Sequence, residues 1–134
     1  MQKRKLQVFV SSTYLDLKKE RQAAVEAILS AGHIPAGMEL FAAGDQSQWA
    51  VIKAWIEESD VYMLILGGRY GSIEPGSGKS YTQLEYEYAI KIGKPLFAVV
   101  ITENKLAQKA REEGLEIVER ENHLLLQKFK SLVQ

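Results

Sequence analysis

The 134 residues predict an α/β fold, a three-layer sandwich with a central parallel sheet of four or five strands. Two observations carry this expectation. Short runs rich in β-branched and aromatic residues alternate with longer segments of helical period, which is the pattern of strands joined by crossover helices. Glycine, proline or a capping hydroxyl stands at nearly every junction.

The elements follow in order. "LQVFV" (6–10) reads as a buried strand. In the "SST" after it, Ser12 or Thr13 offers an N-cap to a helix running to about Ala31, with Gly32 at C′. "IPAGMEL" (34–40) is a weaker strand, broken by Pro35 and Gly37. Past the loop "FAAGDQSQ", Asp45 or Ser47 starts a helix through Glu58, with Trp49, Ile52, Trp55 and Ile56 on its core face. "VYMLILG" (61–67) is the strongest strand. A glycine-rich loop (67–80) leads to a helix from about Tyr81 to Ile92, punctuated by Gly93 and Pro95 before the strand "PLFAVVI" (95–101). From Thr102 the chain is mostly charged and helical, with "LEIV" (115–118) open to either structure. Right-handed crossovers then give a flavodoxin-like order, 2-1-3-4, with or without a fifth strand. Ligands in such sheets sit beyond the carboxyl ends of strands 1 and 3, where "SST" and "GGRYGSIEPGSGKSY" converge.

The bulk composition narrows the function. Seventeen basic and seventeen acidic residues cancel, so charge alone gives no reason to expect nucleic acid or a membrane surface as partner. "KRK" (3–5) is short and reads as a solvated tail. Without cysteine there is no disulfide, no thiolate chemistry and no cysteine metal site. His33 and His123 lack a second ligand by spacing, so no metal is expected. No apolar run reaches membrane-span length and no signal peptide is visible, which makes cytoplasm the expected compartment. The glutamates at 112, 113, 116, 119 and 121 read as a solvated charge run.

"GSGKS" invites comparison with a phosphate loop, which needs G-x-x-x-x-G-K-[ST] between a strand and a helix. The first glycine would fall on Ile73, the loop is too long, and Glu39 is the only weak candidate for a magnesium ligand. That reading is rejected. A carboxylate on the following helix fits better. Tyr81, Leu84, Tyr88 and Ile92 share one apolar arc, Glu85 lies about 40° from its centre, and Glu87 lies about 120° away facing solvent. Glu85 therefore projects inward at the rim of the two loops, where a carboxylate is paired or used. A capping box, with Thr82 as N-cap and Glu85 folding back onto it, is the structural alternative.

Arg21 lies within the stripe Leu17, Ala24 and Ile28, and an arginine there needs a partner; a structural ion pair to Asp16, Glu20 or Glu39 is the favoured reading, and helping to arrange the site with Glu85 is the alternative. In "GGRYG", Arg69 suits a ligand phosphate and Tyr70 either stacks on a base or plugs the core.

"VFVSSTYLDLKKER", "ESDVYMLILGGRYG" and "SYTQLEYEYAIKIGKP" together resemble a bacterial family of TIR-like (Toll/interleukin-1 receptor-like) domains of unknown function, commonly N-terminal effector modules of larger proteins. The resemblance covers roughly residues 6–101. The third motif also resembles nucleoside 2-deoxyribosyltransferases, and sliding their pattern onto this chain places the catalytic glutamate at Glu85, with Tyr88-Ala89 and Gly93-Lys94-Pro95 behind it. The resemblance implies cleavage of an N-glycosidic bond, with NAD as candidate substrate and no cofactor, in an effector of the kind used in anti-phage defence. Glu85 would be catalytic. Ser11, Ser12, Thr13, Gly68, Arg69, Tyr70, Gly71, Tyr81 and Tyr88 would line the substrate, with Arg21, Glu39 and Thr82 supporting. Two departures make hydrolysis a better expectation than transfer: Glu87 stands where the transferases have glycine, and residues 67–80 contain no aspartate. The implied partners are a nucleotide, further copies of the domain on activation, and the remainder of a larger polypeptide. A non-enzymatic self-association module and a nucleotide-binding sensor are the competing readings.

Overall fold

The computed structural model describes residues 4–37 and 48–134. Four strands, β1 (Gln7–Ser11), β2 (Ile34–Gly37), β3 (Val61–Leu66) and β4 (Leu96–Val100), form one sheet in the order β2-β1-β3-β4. Every pairing is parallel. The helices between and after them are α1 (Lys18–Ser30), α2 (Gln48–Glu58), α3 (Tyr81–Lys91), α4 (Glu103–Glu113) and α5 (His123–Val133). The expected α/β class and strand order hold. The ambiguous "LEIV" is a single 3₁₀ turn over Leu115–Ile117.

Alternation along the strands sorts the core into two. On one face Val10 and Ile65 pack on Leu17, with Ala24, Ile28, Met63 and Ile101 around them. On the other, Phe9, Tyr62, Leu64 and Leu66 meet Ile56 of α2, Tyr86 and Ala89 of α3, and Leu126 and Phe129 of α5. Aromatic contacts run through this second core. Phe9 stacks on Tyr62 at 5.8 Å, Tyr62 meets Tyr86 at 6.4 Å, Tyr86 meets Phe129 at 5.6 Å, and Phe129 meets Tyr70 edge-on at 6.2 Å. On α2, Ile52 and Trp55 pack against this core as expected, while Trp49 sits edge-on to Tyr88.

Three boundaries differ from expectation. The first helix begins at Lys18, not at a Ser12 or Thr13 cap, because the Thr13 hydroxyl donates to the Asp16 carboxylate and residues 14–17 form a turn. The N-cap of α3 is Ser80, whose side chain accepts from the Gln83 amide, so Thr82 is not a cap. The buried arc of α3 is Thr82, Glu85, Tyr86 and Ala89; Tyr81, Leu84 and Tyr88 lie at its margin and Ile92 is exposed. The β2 residues beyond Gly37, the candidate caps Asp45 and Ser47, and Glu39 fall outside the described residues. Arg4, in the supposed tail, pairs with Asp60 at 2.5 Å.

Candidate functional site

The site is assembled from the ends of β1 and β3 and the first turns of α3. β1 ends at Ser11, so Ser11, Ser12 and Thr13 leave the sheet at its carboxyl edge, and all three are buried. Glu85 enters from α3 and is 6% exposed. The Ser11 hydroxyl donates to Glu85 Oε1 at 2.7 Å. Burial pushes the Glu85 carboxyl up to about 7, against the Ser11 hydrogen bond and the charge of Arg21, both of which favour the anion. A carboxyl poised there exchanges its proton at neutral pH.

Arg21 is 3% exposed, and its Nη1 donates to the Val10 carbonyl at 3.0 Å and to Ser12 Oγ at 2.9 Å. It fastens the β1 end from α1 while lending positive charge to Glu85. Both expectations for Arg21, a structural tie and a supporting role beside Glu85, are compatible with these contacts, and Glu39, one candidate ion-pair partner, lies outside the described residues. Beneath the carboxylate lies Tyr62, fully buried, its hydroxyl without a hydrogen-bond partner among the described residues. Burial and the nearby Glu85 charge push its pKa up, while the Ser11 hydroxyl approaches the phenol closely enough to lower it, without the geometry of a full hydrogen bond. Nothing in the sequence marked Tyr62 except its place in an apolar strand.

The loop after β3 closes over this group. A Cβ on Gly71, whose φ is +99°, would come within 2.9 Å of Thr13 Cγ2 and 3.6 Å of Thr82 Oγ1, so glycine is needed there for both conformation and space. Thr82 therefore supports the loop contact, one turn before Glu85, instead of capping. Asp16, missed in the sequence as a site residue, joins the two loops. It is 1% exposed, accepts from Thr13 Oγ1 and from the Arg69 amide, and its carboxyl is raised by burial against those hydrogen bonds.

The other candidates are engaged in contacts of the fold. The Tyr70 ring is 1% exposed, packs on Phe129, and its hydroxyl donates to Gln83 Oε1 at 2.5 Å; it plugs the core and offers no face to a base. The Arg69 guanidinium donates to the Glu116 carbonyl at 2.8 Å. The Tyr88 hydroxyl donates to Glu57, on the α2 side of the helix and away from Ser11. Tyr81 is half-buried, and its amide donates to the Ser72 carbonyl. Glu87 pairs with Lys79 at 2.9 Å and is the outward carboxylate. The "GSGKS" loop is no phosphate cradle: Glu74 already accepts from the amides of Gly76 and Ser77, at 2.8 and 3.0 Å. His33 accepts from the Leu6 amide, a structural use. Among the described residues no group of three or more His, Cys, Asp or Glu is placed to hold a metal, and no helix is long and apolar enough to cross a membrane.

The glutamate run is not simply solvated. Glu119 is 9% exposed and accepts from the Tyr70 amide at 2.7 Å. Glu113 and Glu20 hold the buried Lys109 at 2.8 and 3.0 Å, tying α4 to α1.

Fold and site define an α/β domain with a buried, proton-exchanging carboxylate at the switch point of its parallel sheet. The chain belongs to the family described as domain of unknown function DUF4062, whose profile matches residues 7–134. No curated protein matches it. A solved structure of a CMP N-glycosidase from Clostridium botulinum, BcmB, is similar at 17% identity and a TM-score of 0.45, covering 93% of this chain and 98% of that chain.

Proposed function

We propose that this domain cleaves the N-glycosidic bond of a nucleotide, with Glu85 as the catalytic carboxylate. The observation that supports this best is the placement of Glu85 at the carboxyl end of the sheet, hydrogen-bonded to Ser11 and titrating near 7. Ribosyl transfer to water passes through an oxocarbenium-like state, which a carboxylate beside the ribose stabilises; a cationic base leaves without needing a strong acid. NAD, whose nicotinamide is such a leaving group, is the candidate substrate, and the resemblance to TIR-like effectors adds support for it and for a role in anti-phage defence. To Ser12 and Thr13, beside Ser11 at the end of β1, this reading assigns the contacts to ribose or phosphate.

Self-association is the second reading, and β4 favours it. This strand is a sheet edge, and Phe97 and Val99 on it are 49% and 42% exposed. The two readings are compatible if assembly completes or opens the site.

The test is consumption of NAD and of CMP by the purified domain beside Glu85→Gln, at low and high protein concentration, with base release read chromatographically. Base release that falls at least about a hundredfold in Glu85→Gln is the expected result. Release that survives the substitution assigns the chemistry to another group and removes Glu85 from it; no release at any concentration leaves self-association as the reading for this chain.

A further inference from the structure

The segment from Gly114 to Asn122 lies across the loop that follows β3. The Glu119 amide donates to the Gly68 carbonyl at 2.6 Å, and Arg69 reaches the Glu116 carbonyl. The carbonyl oxygen of Ile117 is so close that a Cβ on Gly68 would meet it at 2.2 Å. From this strap the Glu119 carboxylate turns back into the protein. Its Oε1 accepts from the Tyr70 amide at 2.7 Å, and its Oε2 faces the Glu121 and Asn122 amides at 3.4 and 3.3 Å. The preceding amide, Arg69 N, donates to Asp16 Oδ2 at 3.2 Å. Two consecutive amides beside an arginine are thus each held by a different carboxylate, Arg69 N by Asp16 and Tyr70 N by Glu119, and both are donors suited to an anion. Burial alone would raise the Glu119 carboxyl. The amides of Tyr70, Asn122 and Glu121 and the charge of Arg69 outweigh it and hold the carboxyl below its usual range.

A phosphate monoester presents the same acceptor oxygens with more charge, so it suits the same donors. The Tyr70 amide is also one residue from Gly71, which packs against Thr13 and Thr82 near Glu85. Glu85 is buried with the loop in this position, and the strap's bonds to Gly68 and Arg69 tie the loop in place. The strap is lightly held on its outer side. Leu115 is 62% exposed and Val118 36%, and a cavity of about 210 Å³ beside Val118 separates α4 from α5.

We infer that this strap is a built-in competitor of the substrate: Glu119 occupies the Tyr70 amide, beside Arg69, that the nucleotide phosphate takes when the loop rises from Glu85. The inference rests on the nucleotide reading above for its ligand, but its test does not need turnover.

The experiment titrates ¹⁵N-labelled domain with inorganic phosphate, a nucleoside 5′-monophosphate and the matching nucleoside. Wild type is compared with Glu119→Gln, which keeps an acceptor for the Tyr70 amide, and with Ile117→Ser, which loosens the strap without changing the Arg69 and Tyr70 amides or Glu119. Phosphate binding at least about tenfold tighter in both variants, with the Arg69 and Tyr70 amides moving, is the expected result. Affinity no better than wild type in Glu119→Gln, or shifts confined to other residues, overturns the inference. So does a Glu119→Gln protein whose melting temperature is lowered and not restored by phosphate, since the carboxylate is then a structural tie. Tighter phosphate binding without any base release keeps the strap and removes the glycosidase reading. Base release with phosphate affinity unchanged does the reverse.

Discussion

Ser11 and Glu85 are 74 residues apart in the chain and joined by a 2.7 Å hydrogen bond inside the protein. One comes from the end of the first strand, the other from a helix that follows the third. The bond exists because parallel strands 1 and 3 are neighbours, so that their carboxyl ends share one rim. It fixes where the carboxylate points and opposes part of the burial that would otherwise keep it neutral.

Stability should fall as pH rises through neutrality. The Glu85 carboxyl is raised from 4.5 to about 7 on folding, so the native state holds a proton that the unfolded chain has released. Its contribution is complete below about pH 4.5 and is lost as pH passes about 7, by at most about 3 kcal/mol. Urea unfolding from pH 5 to 8 should show this decline in wild type and a flatter profile in Glu85→Gln. Equal slopes would place the titrating group elsewhere.

Ser11→Ala removes a hydrogen bond to the Glu85 anion and should move its pKa upward from about 7. A ¹³C-carboxyl titration measures this directly. If base release requires the ionised form, the rising limb of its pH profile moves to higher pH with it. A downward shift would mean that Ser11 is not the donor.

Tyr62→Phe removes a buried hydroxyl that has no hydrogen-bond partner among the described residues. Such a change should lie within about 1 kcal/mol of neutral, since relief of a desolvated polar group offsets the loss of a weak approach to Ser11. Thermal and urea unfolding check it. A loss above that size would reveal a partner for the hydroxyl.

Phe129→Ala should cost about 3–5 kcal/mol, the range for deleting a buried aromatic ring. Phe129 is 1% exposed and touches both Tyr70 and Tyr86, so the loss should also loosen the loop after β3. Faster amide exchange at Arg69 and Tyr70 than at β1 would show that coupling; uniform acceleration would not.

The sheet was legible in the sequence because each strand carries its own apolar run and punctuation, and parallel pairing adds few alternatives. Glu85 was legible because helical geometry alone turns it inward, although the arc is centred on Glu85, Tyr86 and Ala89 more than on the larger Leu84 and Tyr88. What escaped depends on contacts distant in sequence. Glu119 looks like its charged neighbours until the Tyr70 amide, 49 residues earlier, is placed beside it. Asp16 looked like a possible partner for Arg21, whereas local hydrogen bonding turned it to Thr13 and the β3 loop. Tyr70 was read in two ways, and only the arrival of Phe129 from α5 decides for the core.

The aromatic contacts from Phe9 to Phe129 also impose an order of events during synthesis. β1, β3 and α3 can gather as they leave the ribosome, but the wall formed by Tyr70 and Tyr86 faces water until α5 emerges to cover it. A nascent chain halted between α4 and α5 would hold its four strands and still display a sticky aromatic surface, a natural target for a chaperone waiting at the tunnel exit.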